Sequence, residues 1–440
     1  MKAMRHGIWM ILCCWLVVLS GCTLMNPSEV PPGQQNPPAE RIPAAEQVPP
    51  PELPNVSKED RKKLVDGNNR FAIKLMKQLV GGEEGKKNIF VSPFSISTAL
   101  AMTYAGANGK TKEEMRQVFE FPELDNLMHT AFEWLFKDLD YRGTQGNYQL
   151  SLANRLWPQK KYKFLQSYFD LMAEHYGVDF KYLDYINETE KSRVTINDWV
   201  EEKTQGKIKD LLKPGIIKKI TRLVLVNAIY FKGNWQTQFK KSNTHQAPFY
   251  KLDNSTVSVP MMHVQGSFEY GQHDGWKILR LPYKNKELSM IVMMPTSPAS
   301  FQEKEKSLNA ATIDTWLNKL SKSNIKVWLP KWKMTFPLQM NDVLKEMGMP
   351  LAFSGLADFS GMTGHKGLYI GAVVHKAFLE VNEVGSEAAA ATAVVMNRKS
   401  TSVGGDNLQF RVDRPFWLLI RDDTTQSILF SGRVLNPLQD

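Results

Sequence analysis

Cysteine is scarce in this chain of 440 residues, and all of it lies near the beginning, at Cys13, Cys14 and Cys22. No cysteine follows Cys22. A disulfide framework, a cysteine-ligated zinc ion and a catalytic cysteine are therefore excluded from the rest of the sequence.

Other catalytic signatures are also missing. No two of the eight histidines stand four residues apart, as a zincin requires, and there is no G-x-S-x-G motif. Gly109-Lys110-Thr111 imitates the end of a phosphate-binding loop, but Tyr104 occupies a position where that motif requires glycine. We interpret Thr111 as the cap of a helix, and we expect no metal and no cofactor.

Charge and composition point to no extreme class of protein. The chain has 55 Lys and Arg against 45 Asp and Glu, and 42% of its residues are hydrophobic. These values exclude a fully disordered chain, a collagen and a polytopic membrane protein. We interpret the doublets Lys160-Lys161 and Lys218-Lys219 as solvated faces and expect no nucleic-acid binding.

Residues 1–22 have the layout of a secretory signal peptide, with a basic start, an apolar run and small residues. The tetrad Leu19-Ser20-Gly21-Cys22 resembles the lipobox of bacterial lipoproteins, in which the cysteine is lipidated. We expect residues 1–21 to be removed and Cys22 to anchor an extracytoplasmic protein to a bacterial membrane or cell surface. The alternative is a single membrane-spanning anchor, because the 19 residues from Gly7 to Met25 are uncharged.

Residues 22–56 form a proline-rich tether. Ten prolines lie between Asn26 and Asn55, and proline fixes φ and removes the backbone donor, so this segment is extended and does not pack. The folded domain is predicted to begin at residue 57 and to continue to residue 440.

The first third of this domain has helical signals and the rest has strand signals. Ser57 begins a capping box, Gly81-Gly82 ends the helix that follows, and Ser92-Pro93 is typical of a second helix start. Further helical patterns cover 164–176, 191–204 and 307–320. Runs rich in Val, Ile and aromatic residues at 222–231, 288–294 and 326–329 predict strands, several buried on both faces. The predicted fold class is therefore α+β.

The sharpest feature lies near the C-terminus, where Gly385 is followed by four consecutive alanines at 388–391. With a period of two, every second residue from Ser386 to Met396 is small or apolar. Such a segment could enter a sheet as a strand, although a flexible alanine-rich loop is the alternative. Beyond it, Arg398 and Lys399 form a polar tip suited to trypsin-like cleavage.

The segment EVGSEAAAATAVV (383–395) is similar to the hinge of the reactive-centre loop of inhibitory serpins. Seven more blocks resemble serpin sequences in serpin order. They are NIFVSPFSISTALAMTYAGANGKTKEEM (88–115), LVLVNAIYFKGNWQTQF (223–239), VPMMHVQGSF (259–268), LPYKNKELSMIVMMP (281–295), LPKWKMTF (329–336), ADFSGMTG (357–364) and FRVDRPFWLLIRDDTTQSILFSGRVLNP (410–437).

The resemblance implies a serpin fold, with helices packed on a large central sheet and further sheets, and a reactive-centre loop at about 383–405. It also implies a suicide-substrate mechanism in place of enzymatic turnover. A protease cuts the exposed loop, and the cut loop inserts into the main sheet before the acyl-enzyme is hydrolysed.

Family roles transfer to positions of this sequence as follows. The loop hinge corresponds to Glu383, Gly385, Ser386, Ala388, Ala389, Ala390, Ala391 and Thr392. A hydrogen-bonded cluster under the parting strands corresponds to Ser92, Ser95, Asn227 and His375, and Trp235 lies beneath the point where the loop enters. Independently of the family, the apolar neighbours of His375 favour a core histidine.

Counting 14 residues from the hinge glycine, as the resemblance implies, places the cut at Lys399–Ser400, with Arg398–Lys399 as the second choice. The expected partners are trypsin-like serine proteases, with cysteine proteases as a second class, bound by a monomer. The alternative function is that of a non-inhibitory serpin acting as a binding or carrier protein.

Overall fold

A computed structural model describes residues 49–125, 127–145, 148–178, 180–386 and 408–439. Cys22, the stretch Ala388–Thr392 and both candidate bonds at Arg398–Ser400 lie outside these ranges. Within them, no helix has the length and apolar character needed to cross a membrane. The same residues contain no group of three or more His, Cys, Asp or Glu side chains that could hold a metal ion.

The helices lie mainly in the first half of the domain. They are α1 (Lys58–Gly81), α2 (Pro93–Tyr104), α3 (Gly109–Phe119), α4 (Leu127–Thr144), α5 (Gln166–Tyr176), α6 (Thr189–Lys203), α7 (Phe301–Ser307), α8 (Ala310–Leu317), α9 (Asn341–Glu346) and α10 (Ser360–Thr363).

The strands lie mainly in the second half. They are β1 (Ile89–Val91), β2 (Tyr148–Pro158), β3 (Leu223–Asn234), β4 (His245–Tyr250), β5 (Thr256–His273), β6 (Trp276–Pro282), β7 (Leu288–Pro295), β8 (Ser321–Pro330), β9 (Trp332–Gln339), β10 (Ala372–Val381), β11 (Gly385–Ser386), β12 (Gln409–Arg411), β13 (Phe416–Asp422) and β14 (Ile428–Val434).

The predicted starts of α1 and α2 are confirmed. The Ser57 hydroxyl accepts a hydrogen bond from the backbone N–H of Asp60 at 3.0 Å, and α1 ends at the glycine pair. The Ser92 hydroxyl accepts from the N–H of Ser95 at 3.2 Å, with Pro93 in the first turn. These caps satisfy N–H groups that have no partner within the helix.

Two helix predictions need correction. Thr111 does not cap α3, which begins two residues earlier after Asn108. Its side chain is buried, and its hydroxyl accepts a hydrogen bond from the N–H of Asp358 at 3.0 Å, so it serves a different part of the chain. The helical pattern at 307–320 is interrupted, because Asn309 caps a new helix, α8, after α7 has ended.

Within the described residues the strands form two sheets. The five-stranded sheet has the order β2-β3-β11-β10-β9. The nine-stranded sheet has the order β1-β14-β13-β7-β6-β5-β8-β12, and β4 pairs with β5 beside it. This architecture confirms the α+β class.

The strand β3 lies inside the five-stranded sheet, and this position explains why its sequence is apolar. One face packs on the main core through Leu225, Ile229 and Phe231, and the other packs on a second cluster that includes residues of α6. A strand covered on both faces buries every side chain, so it has a continuous apolar run in place of an alternating one.

Candidate functional site

The candidate site is a gap in the five-stranded sheet between two parallel strands. Residues 224–230 of β3 pair directly with residues 372–378 of β10. Beyond this stretch the two strands separate, and β11 lies between them, with Gly385 opposite Asn234 and Ser386 opposite Gly233. The start of the predicted loop hinge therefore occupies the open end of the sheet.

Glycine is required at the entry to this gap. A Cβ atom on Gly385 would overlap the carbonyl oxygen of Gly233 on the neighbouring strand. The absence of a side chain allows the hinge backbone to approach β3 closely.

Ser386 is the innermost described residue of the hinge, and it is fully buried. Its hydroxyl lies 2.6 Å from the hydroxyl of Tyr283. The Tyr283 ring in turn stacks on Trp235, with 4.7 Å between the ring centroids. Burial raises the pKa of Tyr283 far above its ordinary value, so the phenol stays neutral.

Trp235 holds the turn that leads from β10 into the hinge. Its indole N–H donates to the carbonyl of Asn382 at 2.9 Å, and its backbone N–H donates to the carbonyl of Val384 at 2.9 Å. A buried indole N–H requires such a partner. This residue therefore lies beside the point where the loop enters.

Glu383 fixes the outer end of the same turn. Its carboxylate lies 2.9 Å from the Lys331 ammonium and accepts a hydrogen bond from the Thr244 hydroxyl at 2.9 Å. Its carbonyl accepts from the N–H of Phe239 at 2.9 Å. Burial acts to raise the pKa of Glu383, but the bonds from Lys331 and Thr244 bring it below its ordinary value, so the carboxylate is ionised.

A second group of polar side chains lies lower in the sheet, where β3 and β10 are paired. His375 and Asn227 are directly opposite each other in the register, and the His375 Nδ1 bonds to the Asn227 side-chain oxygen. The Asn227 amide donates to the hydroxyl of Ser95 on α2. The backbone N–H of Ser92 donates to His375 Nε2 at 3.1 Å, and the Ser92 hydroxyl donates to the carbonyl of Leu429 at 2.7 Å.

His375 is a neutral, hydrogen-bonded core residue, as its apolar neighbours predict. It is fully buried, and this burial lowers its pKa to about 3. Since Nε2 accepts a bond from Ser92, the single proton of the ring is on Nδ1 and is donated to Asn227. The cluster joins α2, β3 and β10 without any buried charge.

The structure brings Ser92, Ser95, Asn227 and His375 together, whereas Trp235 lies apart from them, at the open end of the gap. Sequence reasoning missed Asn154, whose carbonyl accepts from the Ser95 hydroxyl at 3.2 Å and from the Asn227 amide. β2 also contains Gln149, Ser151 and Arg155, so the polarity of Asn154 does not distinguish it in the sequence. Tyr283, Lys331 and Thr244 were also missed, and they carry no local sequence signal.

Comparison with known proteins gives one consistent family. The family model described as Serpin (serine protease inhibitor) matches residues 66–437. An uncharacterized serpin-like protein of Thermococcus kodakarensis is 38% identical over 424 residues, which are 96% of this chain and 97% of that protein. Antithrombin-III of Mus musculus is 37% identical over 393 residues, which are 88% and 84% of the two chains.

Solved structures agree with this result. The crystal structure of uncleaved ovalbumin matches with a TM-score of 0.77 and 31% identity, over 85% of this chain and all of ovalbumin. Human thyroxine-binding globulin in complex with its ligand matches with a TM-score of 0.77 and 30% identity, over 86% of this chain and all of that one.

The buried neutral histidine predicts a loss of stability in mild acid. An unfolded histidine titrates near 6.5, whereas His375 titrates near 3. Between these values only the unfolded chain takes up a proton, so the free energy of unfolding falls as the pH falls, by about 2 kcal/mol between pH 7 and pH 5 from this residue. Urea unfolding midpoints at the two pH values would measure the loss.

The variant His375→Gln should lower stability at pH 7 but flatten the pH dependence by that amount. His365→Gln changes an exposed histidine and serves as the control, which should keep the wild-type pH dependence. Parallel pH profiles for the wild type and His375→Gln would contradict the neutral, buried assignment.

Proposed function

The chain belongs to the serpin family of serine protease inhibitors, and from that membership we propose that it traps trypsin-like serine proteases as a suicide substrate. The observation that carries the proposal is the position of the hinge. Gly385 and Ser386 already form the first two residues of a strand between β3 and β10, so further insertion only has to extend a ladder that has begun.

The register of this ladder indicates where the inserted loop would go. Ser386 lies opposite Gly233 on β3 and opposite Val381 on β10. Six residues further along an unbroken antiparallel register, Thr392 would lie between Asn227 and His375. Insertion would therefore separate these two side chains, and the threonine hydroxyl would supply a polar group at the same level.

The energy for this change comes from strand pairing. The direct contact between β3 and β10 is parallel, and it would be replaced by two antiparallel ladders, which are slightly more stable per residue. Each additional backbone hydrogen bond contributes about 1 kcal/mol net. A strand of a dozen residues with buried small side chains would supply on the order of 10 kcal/mol or more.

The chemistry is that of the target protease. Its catalytic serine attacks the carbonyl of Lys399, the amine of Ser400 leaves, and an acyl-enzyme is formed. The loop is then free to insert, and the attached protease is carried to the far end of the sheet before water completes the hydrolysis. Arg398–Lys399 is the second candidate bond, and cysteine proteases are a second class of target.

A membrane anchor is proposed for the same protein on sequence grounds alone. Lipidation of Cys22 followed by the proline-rich tether to residue 56 would keep the inhibitor outside the cytoplasm at a bacterial membrane or cell surface. An extended chain of this length reaches on the order of 100 Å.

The mechanism is tested by blocking insertion without changing the bait bond. Ser386→Arg would place a charge in the buried position against Tyr283, at a cost of several kcal/mol unless it is paired. Ala390→Pro would remove a ladder donor from a central strand. Both variants should still be cut by trypsin but should lose the covalent complex, which denaturing gel electrophoresis after protease titration detects.

Ser400→Ala leaves the hinge unchanged and is the matched control, which should retain the complex. A wild type that is cleaved without forming any complex would favour the non-inhibitory alternative. Wild-type trapping by both hinge variants would instead exclude strand insertion as the mechanism.

Target specificity is tested at the two basic residues of the loop. Both Arg398 and Lys399 offer a long cation to an acidic specificity pocket. Lys399→Ala should reduce the rate of trypsin trapping more than tenfold, and the double variant with Arg398→Ala should abolish it, without changing the melting temperature. Mass spectrometry of the released C-terminal fragment identifies the bond. Cleavage at any other position, or full trapping by the double variant, would refute the assignment.

The anchor is tested at Cys22. Cys22→Ala should block processing or release a soluble chain into the medium, because the lipid attachment point is lost. Membrane fractionation and the intact mass of the mature N-terminus measure the effect, and Cys13→Ala serves as the control. If the variant is processed normally and remains fully in the membrane fraction, lipidation is not the anchor.

A further inference from the structure

Two of the five lysine doublets of the sequence, Lys160-Lys161 and Lys218-Lys219, meet at one end of the five-stranded sheet. β2 and β3 pair down to Pro158 opposite Leu223, and the N–H of Gln159 then donates to the carbonyl of Arg222 at 2.9 Å. This pairing brings Lys160-Lys161 next to the turn that contains Lys218-Lys219. The doublets are 58 residues apart in the sequence, so no local pattern indicates that they are neighbours.

A third segment joins the same end. The N–H of Lys160 donates to the carbonyl of Leu183 at 2.8 Å, and the N–H of Leu183 donates to the carbonyl of Pro158 at 3.0 Å. Lys181 is thereby placed beside the doublets. The surface called here the basic pole consists of Lys160, Lys161, Lys181, Lys218, Lys219 and Arg222.

The positive charge of the basic pole is not neutralised locally. Its five lysines are all exposed, and none of them forms an ion pair within the described part of the chain. The adjacent Asp184 carboxylate accepts bonds from the backbone and the side chain of Asn187 at 3.1 and 3.0 Å. These bonds lower its pKa and keep it ionised, so it offsets only one of the six positive charges of the pole. The pole therefore presents a concentrated positive field to solvent.

Apolar side chains are exposed among these lysines. Ile220, directly after the second doublet, is 63% exposed, and Tyr182, directly after Lys181, is 39% exposed. A soluble polyanion requires cations but gains nothing from an exposed isoleucine. A lipid surface uses both, because the cations meet the anionic headgroups while the apolar side chains enter the interface.

The location of the pole is compatible with the rest of the molecule. β3 has 12 residues, so the pole lies roughly 36 Å along the strand from the gap that receives the hinge. Contact with a membrane at this end leaves the open end of the sheet accessible. From the shared position of the charges and the exposed apolar residues, we propose that the basic pole binds an anionic lipid surface.

Vesicle sedimentation tests this proposal with residues 49–440. This fragment lacks the predicted signal peptide, lipidation site and most of the tether. It contains all but the first two residues of the compact unit 47–440, and the serpin family model matches residues 66–437, within the fragment. The wild-type fragment should bind phosphatidylcholine vesicles that contain phosphatidylglycerol, should not bind phosphatidylcholine alone, and should dissociate at high salt.

Removal of either doublet should weaken this binding. Lys160→Ala/Lys161→Ala and Lys218→Ala/Lys219→Ala should each reduce the partition coefficient about 30-fold, since each cation near an anionic surface contributes about fivefold. Ile220→Ser should reduce it several-fold without a change in charge. The matched control is Lys240→Ala/Lys241→Ala, which removes the same charge from an exposed doublet beyond the opposite end of β3 and should bind like the wild type.

The proposal is overturned if the wild type does not bind the anionic vesicles, or if the control doublet matters as much as the two pole doublets. It is also overturned if Ile220→Ser binds vesicles like the wild type and soluble polyphosphate binds the pole at least as tightly as the anionic vesicles do. The ligand is then a free polyanion. Melting temperatures of all variants exclude loss of folding, and none of the substitutions touches the hinge or the reactive bond.

Discussion

The side-chain bond between Asn227 and His375 is the contact on which the behaviour of the central sheet depends. It joins two parallel strands at the level where they are still paired, and α2 supports it from below through Ser92 and Ser95. Because every member of this cluster is neutral and bonded, it adds no buried charge. Any strand that extends from the gap must first replace this contact.

Above that level the sheet is kept apart by its own hinge. Ser386, Tyr283 and Trp235 form a buried column that fills the opening, and Glu383 with Lys331 fixes the turn above it. The hinge therefore satisfies the backbone groups at the open end of the gap while the lower part stays closed. Because β3 and β10 are paired in the lower part and the hinge lies between them in the upper part, insertion of the loop would begin at Ser386.

The sequence predicted much of this arrangement, but not all of it. The caps at Ser57 and Ser92 and the double-sided burial of β3 follow from local rules, and the structure agrees with them. The period-two pattern of 386–396 stays a prediction, because all but its first residue lie outside the described ranges. Thr111 was assigned wrongly because its partner, Asp358, is 247 residues away. The same reason hid Tyr283, Lys331 and Thr244, whose roles exist only once distant segments are adjacent. Asn154 was missed for the same reason, since it is one of several polar residues in β2 and its partners lie on other elements.

The two ends of β3 have different roles, and this links the two proposals. The end near Asn234 receives the hinge, whereas the end near Leu223 continues into the basic pole. A loop that inserts along β3 carries its attached protease toward the second end, so a trapped protease and a lipid surface would compete for the same side of the molecule. Capture of a protease would then weaken the lipid contact of the domain, while cleavage without capture would leave that contact intact. Under the two proposals, the chain direction of β3 would thus couple the proposed site of inhibition to the proposed lipid-binding surface.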